Sequence, residues 1–209
     1  MVAPLTFAAL LKICAPSVSP DTMRAIVAVE SGGNPYAIHD NTTRRAYFPR
    51  SQAQAEAILA ATRGHNVDVG IAQVNTGWFP TFHVTAKQML EPCRNLRIGS
   101  VILARAYRSA DASFPQPRVA LWHAISAYNT GSLYAGASYV AAVVSAALSP
   151  PIVPSIALLT SSPADMVLTP RRSRSSTVRP LAAPLAVYHA RDRDGHVTSS
   201  GTSAEIHRF

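Results

Sequence analysis

Proline divides this chain. Of its 16 prolines, seven fall between Pro150 and Pro184, a density that neither a packed helix nor a sheet interior accepts, because each ring removes a backbone donor and fixes φ. One core therefore has to be built from residues 1–149, and about 150 residues is the size of one ordinary domain. The remainder, 150–209, is dominated by Pro, Ser, Thr, Ala and Arg and is expected to be a flexible C-terminal tail. Within it Ile152 to Leu159 is locally apolar and stays open to two readings, a segment that docks on the domain or a partner and a linker with scattered apolar residues.

The formal net charge of +8 favours polyanions of any kind, whether nucleic acid, acidic lipid or the anionic bacterial wall. Up to Ser149, 12 basic and 7 acidic residues give +5, and the 7 and 4 beyond supply +3. The only dense basic run, Arg171-Arg172-Ser173-Arg174, lies in the tail, so no nucleic-acid partner is expected. No apolar run approaches the roughly 20 residues of a membrane-spanning helix. Cys14 and Cys93 permit one disulfide or none, a bridge in an exported protein and two buried thiols in a cytosolic one. Val2 to Leu11 is apolar but has no basic residue ahead of it and no small-x-small cleavage site before Cys14, so the compartment has to come from function.

The first 149 residues read as mostly helix. Pro4 opens one helix that breaks at Ala15-Pro16, and Ser19-Pro20-Asp21 opens a second with a hydroxyl cap, a first-turn proline and a first-turn carboxylate. That helix stops at Gly32-Gly33-Asn34-Pro35. Tyr36 to Arg50 looks irregular or small-sheet. Ser51 to Gln54 is a capping box ahead of an Ala-rich helix, and His65 to Asn75 adds a strand. Thr85 to Gln88 is a second capping box for a short helix to Glu91. Pro92 to Tyr107 forms a longer helix with Leu96, Gly99, Ile102, Leu103 and Ala106 on its buried side, followed by helices from Pro117 to about Thr130 and from Ala137 to Leu148. The fold class is therefore mainly α (α+β), with a small β-rich insertion in the first half.

Several chemistries are absent from the pattern. No phosphate-binding loop and no Gly-x-Ser-x-Gly elbow occurs, and the seven His have no metal-ligand spacing. No metal and no cofactor is expected. His123, inside an apolar helix, reads as a satisfied core histidine. One residue stands out. Met23, Ile26, Val27 and Glu30 fall at i, i+3, i+4 and i+7 of the second helix, so Glu30 occupies a core slot. Loss of hydration and the negative end of the helix dipole both disfavour its ionised form. Periodicity alone leaves open a Glu that simply turns out to solvent; the two glycines and Asn-Pro that follow favour a carboxyl facing an open concave space. A half-buried acid at a cleft suits general-acid cleavage of a glycosidic bond. Such enzymes ordinarily use two carboxylates. The candidates for a second are Asp40, Glu56 and Asp68, of which Glu56 reads as a solvated helix residue and the Asp pair as turn formers, so a one-acid mechanism enters consideration.

Four short strings in series carry a resemblance: Val29-Glu30-Ser31-Gly32-Gly33-Asn34-Pro35, Gly70-Ile71-Ala72-Gln73-Val74-Asn75, Ala127-Tyr128-Asn129-Thr130-Gly131 and Tyr139-Val140. In this order and spacing, over residues 5–148, the sequence resembles the soluble lytic transglycosylases of the lysozyme-like superfamily. Within them, Cys14-Ala15-Pro16, Pro92-Cys93-Arg94-Asn95-Leu96 and the insertion from Arg50 to Val69 are similar to the transglycosylases of VirB-type type IV secretion systems. The resemblance implies a disulfide between Cys14 and Cys93, a periplasmic enzyme acting on peptidoglycan glycan strands, and a tail that contacts other secretion-system components. It makes Glu30 the catalytic acid/base, Ser31 the neighbouring hydroxyl, and Gln73, Tyr128, Asn129 and Tyr139 the residues of the cleft. Ala72 stands where the family's string has Met. Two other readings stay open: a lysozyme-type hydrolase with water activated by Asp40 or Asp68, and a non-enzymatic wall-binding or assembly module.

Overall fold

Capping residues start the helices largely where the sequence places them. A computed structural model describes residues 6–149; the Pro4 start and all of 150–209, with the tail readings made for it, lie outside the described residues. The elements run α1 (Phe7–Cys14), α2 (Pro20–Glu30), β1 (Ile38–Asp40), β2 (Arg45–Tyr47), α3 (Gln52–Ala61), β3 (Val67–Val69), β4 (Val74–Asn75), α4 (Phe79–Phe82), α5 (Pro92–Asp111), α6 (Pro117–Thr130) and α7 (Ala137–Leu148). Thr6 and Ser51 cap α1 and α3 through their hydroxyls. Ser19 occupies the cap position of α2 without using its side chain, and Pro20 and Asp21 mark the start instead.

Two expectations about length change. The box at Thr85 and Gln88 closes reciprocally, but it yields only one 3₁₀ turn, Gln88–Leu90. Pro92 opens α5 two residues later, and Glu91 has to stay extended to cap it, accepting from the backbone N–H of Cys93 and Arg94. Helix α5 runs to Asp111 rather than Tyr107, because Ala110 extends the stripe of Leu103 and Ala106 and is itself fully buried.

The architecture is mainly helical with one small sheet. Helix α5 packs between α1 and α6, while α2 packs on α1 and α7. Their apolar faces form one core, with Met23, Ile26, Val27, Leu96, Leu103 and Ala124 among its buried members. The β-rich insertion is a four-stranded antiparallel sheet of order β2-β1-β3-β4. Ile38, Val67, Val69 and Val74 enter a second core with Ala55, Met89, Leu90, Ile98 and Ile102. Because strand residues alternate between faces, the opposite face carries the row Ala46, His39, Asp68, Asn75, directly paired from strand to strand. Tyr128, on α6, packs against both cores.

The loop between α6 and α7 is held from below by α6. Ser126 Oγ donates to the Ser132 carbonyl at 2.7 Å and accepts from the Gly136 N–H at 2.9 Å. His123 is satisfied, as expected, but half-buried rather than in the core: Nδ1 lies 2.6 Å from the Leu133 carbonyl, and the ring stacks on Phe114 at 3.7 Å. These contacts fix where α7 begins.

Cys14 and Cys93 are bridged, which ties α1 to α5 across 79 residues of chain. Closing so long a loop restricts the unfolded chain, worth about 4 kcal/mol on loop-entropy grounds. Urea denaturation with and without reductant, or of a Cys14→Ser/Cys93→Ser variant, is expected to show a stability loss of that order.

Candidate active site

Helix α2 ends at Glu30, and two successive glycines, Gly32 at φ 61° and Gly33 at φ 84°, turn the chain away through the left-handed region. A Cβ on Gly32 would meet nothing within 4 Å, so the space past the helix end is open. Asn34 fixes the exit by donating to the Pro49 carbonyl at 3.1 Å and accepting from the Tyr36 N–H at 2.8 Å. Glu30 is half-buried, and the hydroxyl of Tyr139 on α7 donates to its Oε1. Burial raises the Glu30 pKa well above its ordinary 4.5; the Tyr139 hydrogen bond pulls it partly back, and the charge of Asp68 pushes it up again. The site therefore holds a weak acid that keeps its proton well above the usual carboxylate range.

The two tyrosines are neutral. Burial, reinforced by the Glu30 charge, raises both phenols well above 10. Tyr128 donates to the Ala72 carbonyl at 2.7 Å. Space for its hydroxyl comes from Gly99 of α5, where a Cβ would approach it to 2.9 Å. Asn129 follows on the last turn of α6 and is half-buried.

Gln73 and Ser31 are placed differently from residues that point at a ligand. The chain from Val67 to Asn75 is buried, and its turn uses Gly70 at φ 86° and Gln73 at φ 48°. Gln73 Nε2 donates to the carbonyls of Ala37 and Gly70 at 2.9 and 2.8 Å, so its amine is spent on backbone. Ser31 Oγ donates to the Ile71 carbonyl at 2.7 Å and accepts from the Gly33 N–H at 3.1 Å, joining the residue after Glu30 to the same turn. The structure thus brings Glu30 and Tyr139 into direct contact, and links Ser31, Gln73 and Tyr128 through the Gly70–Gln73 backbone.

Sequence reasoning missed Asn95. This fully buried side chain accepts from the Ala72 N–H at 2.8 Å and donates to the Val69 and Met89 carbonyls at 2.7 and 2.9 Å. It lies one and two turns before Gly99 and Ile102 on the apolar stripe of α5, and a polar residue in such a stripe was the available signal. Asp68 was misread as a turn residue. It is the middle residue of β3, 2% exposed, with both oxygens bonded by the Nδ2 groups of Asn41 and Asn75 at 2.7 Å. Burial raises its pKa to about 7 against the pull of those two bonds. Asp40 is a turn anchor, as expected. Burial works to raise its pKa, but hydrogen bonds with His65, Thr43 and Thr42 outweigh it and hold the pKa at about 2. Glu56 pairs with Lys87 on the surface. Among the described residues no group of three or more His, Cys, Asp and Glu is placed to hold a metal, and no helix is long and apolar enough to cross a membrane.

The family model of the transglycosylase SLT domain matches residues 9–138. Among individual proteins, the chain is 38% identical to protein virB1 of Agrobacterium fabrum over 159 residues, covering 72% of this chain and 64% of that protein. It is 42% identical to the type IV secretion system protein virB1 of Brucella abortus over 151 residues, covering 68% and 63%, and 36% identical to protein virB1 of Rhizobium radiobacter over 125 residues, covering 59% and 52%. The chain thus spans less than two thirds of the length of these relatives. No solved structure matches it significantly.

Two outcomes follow from the geometry. Tyr139→Phe removes the hydrogen bond that favours ionised Glu30, so the Glu30 carboxyl, followed by carbon-13 NMR, is expected to titrate at a higher pH than in the wild type. Gly70→Ala forces a left-handed backbone onto alanine and drives its methyl to within 2.3 Å of Asn95 Nδ2. Strain and overpacking together should cost about 2–4 kcal/mol in thermal or urea unfolding.

Proposed function

Because the chain belongs to the transglycosylase SLT domain family, we propose that it is a peptidoglycan lytic transglycosylase. It would cleave the β-1,4 bond between N-acetylmuramic acid and N-acetylglucosamine and leave a 1,6-anhydro end, in the periplasm. The observation that carries this reading is Glu30: half-buried, bonded by Tyr139, and held protonated by burial at the open end of α2. The secretion-system name borne by the Brucella relative supports local opening of the wall for assembly of such a machine, with the residues beyond 149 as the part available to other components.

Glu30 is the sole acid/base in this mechanism. Its carboxylic proton passes to the bridging oxygen as the C1–O bond breaks, and the sugar's own acetamido oxygen bonds to C1 and takes up the positive charge. The Glu30 carboxylate then removes the proton from the C6 hydroxyl. The O6–C1 bond forms as the acetamido oxygen leaves, so no water is consumed and Glu30 regains its proton. Tyr139 orients the carboxyl. Ser31, Gln73 and Tyr128 fix the Gly70–Gln73 backbone, and Asn129 is the polar group assigned to the N-acetyl substituent. The bonds that tie Asp40 into its turn and to His65 speak against it as a base for a hydrolytic water.

Rate should fall as pH rises through the raised Glu30 pKa, since the ionised form has no proton to give. Glu30→Gln is expected to lower turnover of purified peptidoglycan by about 10²–10⁴-fold. Mass spectrometry of the wild-type products should find anhydro ends, lighter by one water than reducing ends. Wild-type turnover by Glu30→Gln, or reducing ends from the wild type, would refute the reading.

A further inference from the structure

The outer face of α5 carries a row of arginines that the one-acid mechanism does not use. Up to Ser149 the chain has 12 basic residues, and four of them, Arg94, Arg97, Arg105 and Arg108, lie on this one helix. At about 100° per residue they fall within about 80° of one another, roughly opposite the buried Asn95 and Leu103. Arg94, Arg97 and Arg108 are exposed. Arg105 is half-buried, its guanidinium carbon 5.3 Å from the centre of the Phe82 ring at the end of α4.

No acid answers these charges among the described residues, where the ion pairs are His65–Asp40 and Lys87–Glu56. The acids at the two ends of α5 are otherwise disposed. Glu91 holds the backbone N–H groups of Cys93 and Arg94, and Asp111, one turn past Arg108, forms no ion pair. Arg94 with Arg97, and Arg105 with Arg108, are like charges one turn apart, so the row is mildly unfavourable for the helix itself. Its spacing repeats. The second pair follows the first by 11 residues, three turns, and both stand at nearly the same angle about 16 Å apart along the axis. The mount is firm, because α5 is bridged to α1 at Cys93 and its inner side enters both cores.

We propose that this row binds the carboxylate-bearing peptide stems of peptidoglycan, on the side of α5 that faces away from the Gly70–Gln73 turn. All four bases are Arg, whose planar fork takes a carboxylate through two parallel hydrogen bonds. Arg forks also suit phosphates, but the polymer on which Glu30 is proposed to act offers carboxylates, carried repeatedly along one molecule. Both arginine pairs can therefore be engaged at once, which raises the affinity beyond that of either pair. The row holds the enzyme on stem-bearing material and takes no part in the proton transfers. This inference rests on the peptidoglycan reading and extends it, since the stems as well as the glycan are then recognised.

The test uses the full chain, disulfide intact, with cleavage held off by Glu30→Gln or by keeping the wild type on ice. The protein is sedimented with purified peptidoglycan and with the same material after an amidase has removed the stems. Stem removal is expected to weaken binding by about tenfold or more, and added salt should weaken binding to the stem-bearing material. With Arg94→Gln, Arg97→Gln, Arg105→Gln and Arg108→Gln combined, binding to stem-bearing material should fall to the level seen on stripped strands and drop little further when the stems are removed. A triple variant that leaves Arg105 on Phe82 is expected to show most of the same loss, and it decides the matter should the fourfold variant fail to fold. Equal binding of the unsubstituted row to both materials overturns the proposal, and so does a folded variant that binds stem-bearing material as tightly as the unsubstituted row. Arginine-dependent binding that persists on stripped strands points to a different polyanion and overturns it too. Reducing ends from the wild type, or an active Glu30→Gln, would instead count against the parent reading.

Discussion

Between Gly70 and Gln73 the chain turns inside the protein, where its peptide groups have no water to bond. Every other feature of the site leans on how those groups are satisfied. Side chains from three helices or their ends and from the turn itself share the task. Ser31 takes the carbonyl of Ile71, Tyr128 that of Ala72, Asn95 the N–H of Ala72, and Gln73 the carbonyl of Gly70. Each of these is a long-range or buried bond, and the loss of any one leaves a buried polar group unpaired. The turn is consequently rigid, and so are the elements that hold it.

In the proposed mechanism that rigidity lets Glu30 do the work of a general acid and then of a base. Glu30 ends a helix of the helical core and Asp68 lies in the sheet, and the buried turn joins one half to the other. An acid must meet its leaving oxygen and then the C6 hydroxyl without moving far, which requires the walls around it to keep their spacing. Tyr139 supplies the last constraint by holding one oxygen of the carboxyl. Burial and the helix end do the rest by making ionisation unfavourable.

Much of this was legible in the sequence, for definite reasons. Glu30 stood in an apolar stripe at helical spacing, and the periodicity of α2 is a local property that survives folding. The glycines after it announced the end of the helix, and the structure takes both through the left-handed region. Ser31, Gln73 and Tyr128 were found through their motifs, but their bonding partners lie 40, 36 and 56 residues away, and spacing carries no information about contacts of that range. Asp68 was lost for a related reason. The strand expected over His65 to Asn75 is two short ones, β3 and β4, around a turn, and an Asp near Asn and Gly looks like a turn residue until its strand partners are known. The 3₁₀ turn and α4 between Thr76 and Phe82 escaped notice because neither is long enough to repeat a pattern.

The two aspartates of the sheet move stability in opposite directions with pH. Asp40 has a folded pKa of about 2 against an ordinary 3.8, so it adds stability above 3.8, and this is lost as pH falls toward 2. Asp68 has the opposite sign. With a folded pKa of about 7 against 3.8, the folded protein retains a proton that the unfolded chain has released, and stability falls as pH rises through that window. Glu30 is displaced in the same direction as Asp68 and adds to the loss. The bridge from α1 to α5 and the Asn95 hub work in the other direction, and they do so on α5, the helix against which the buried turn is pinned.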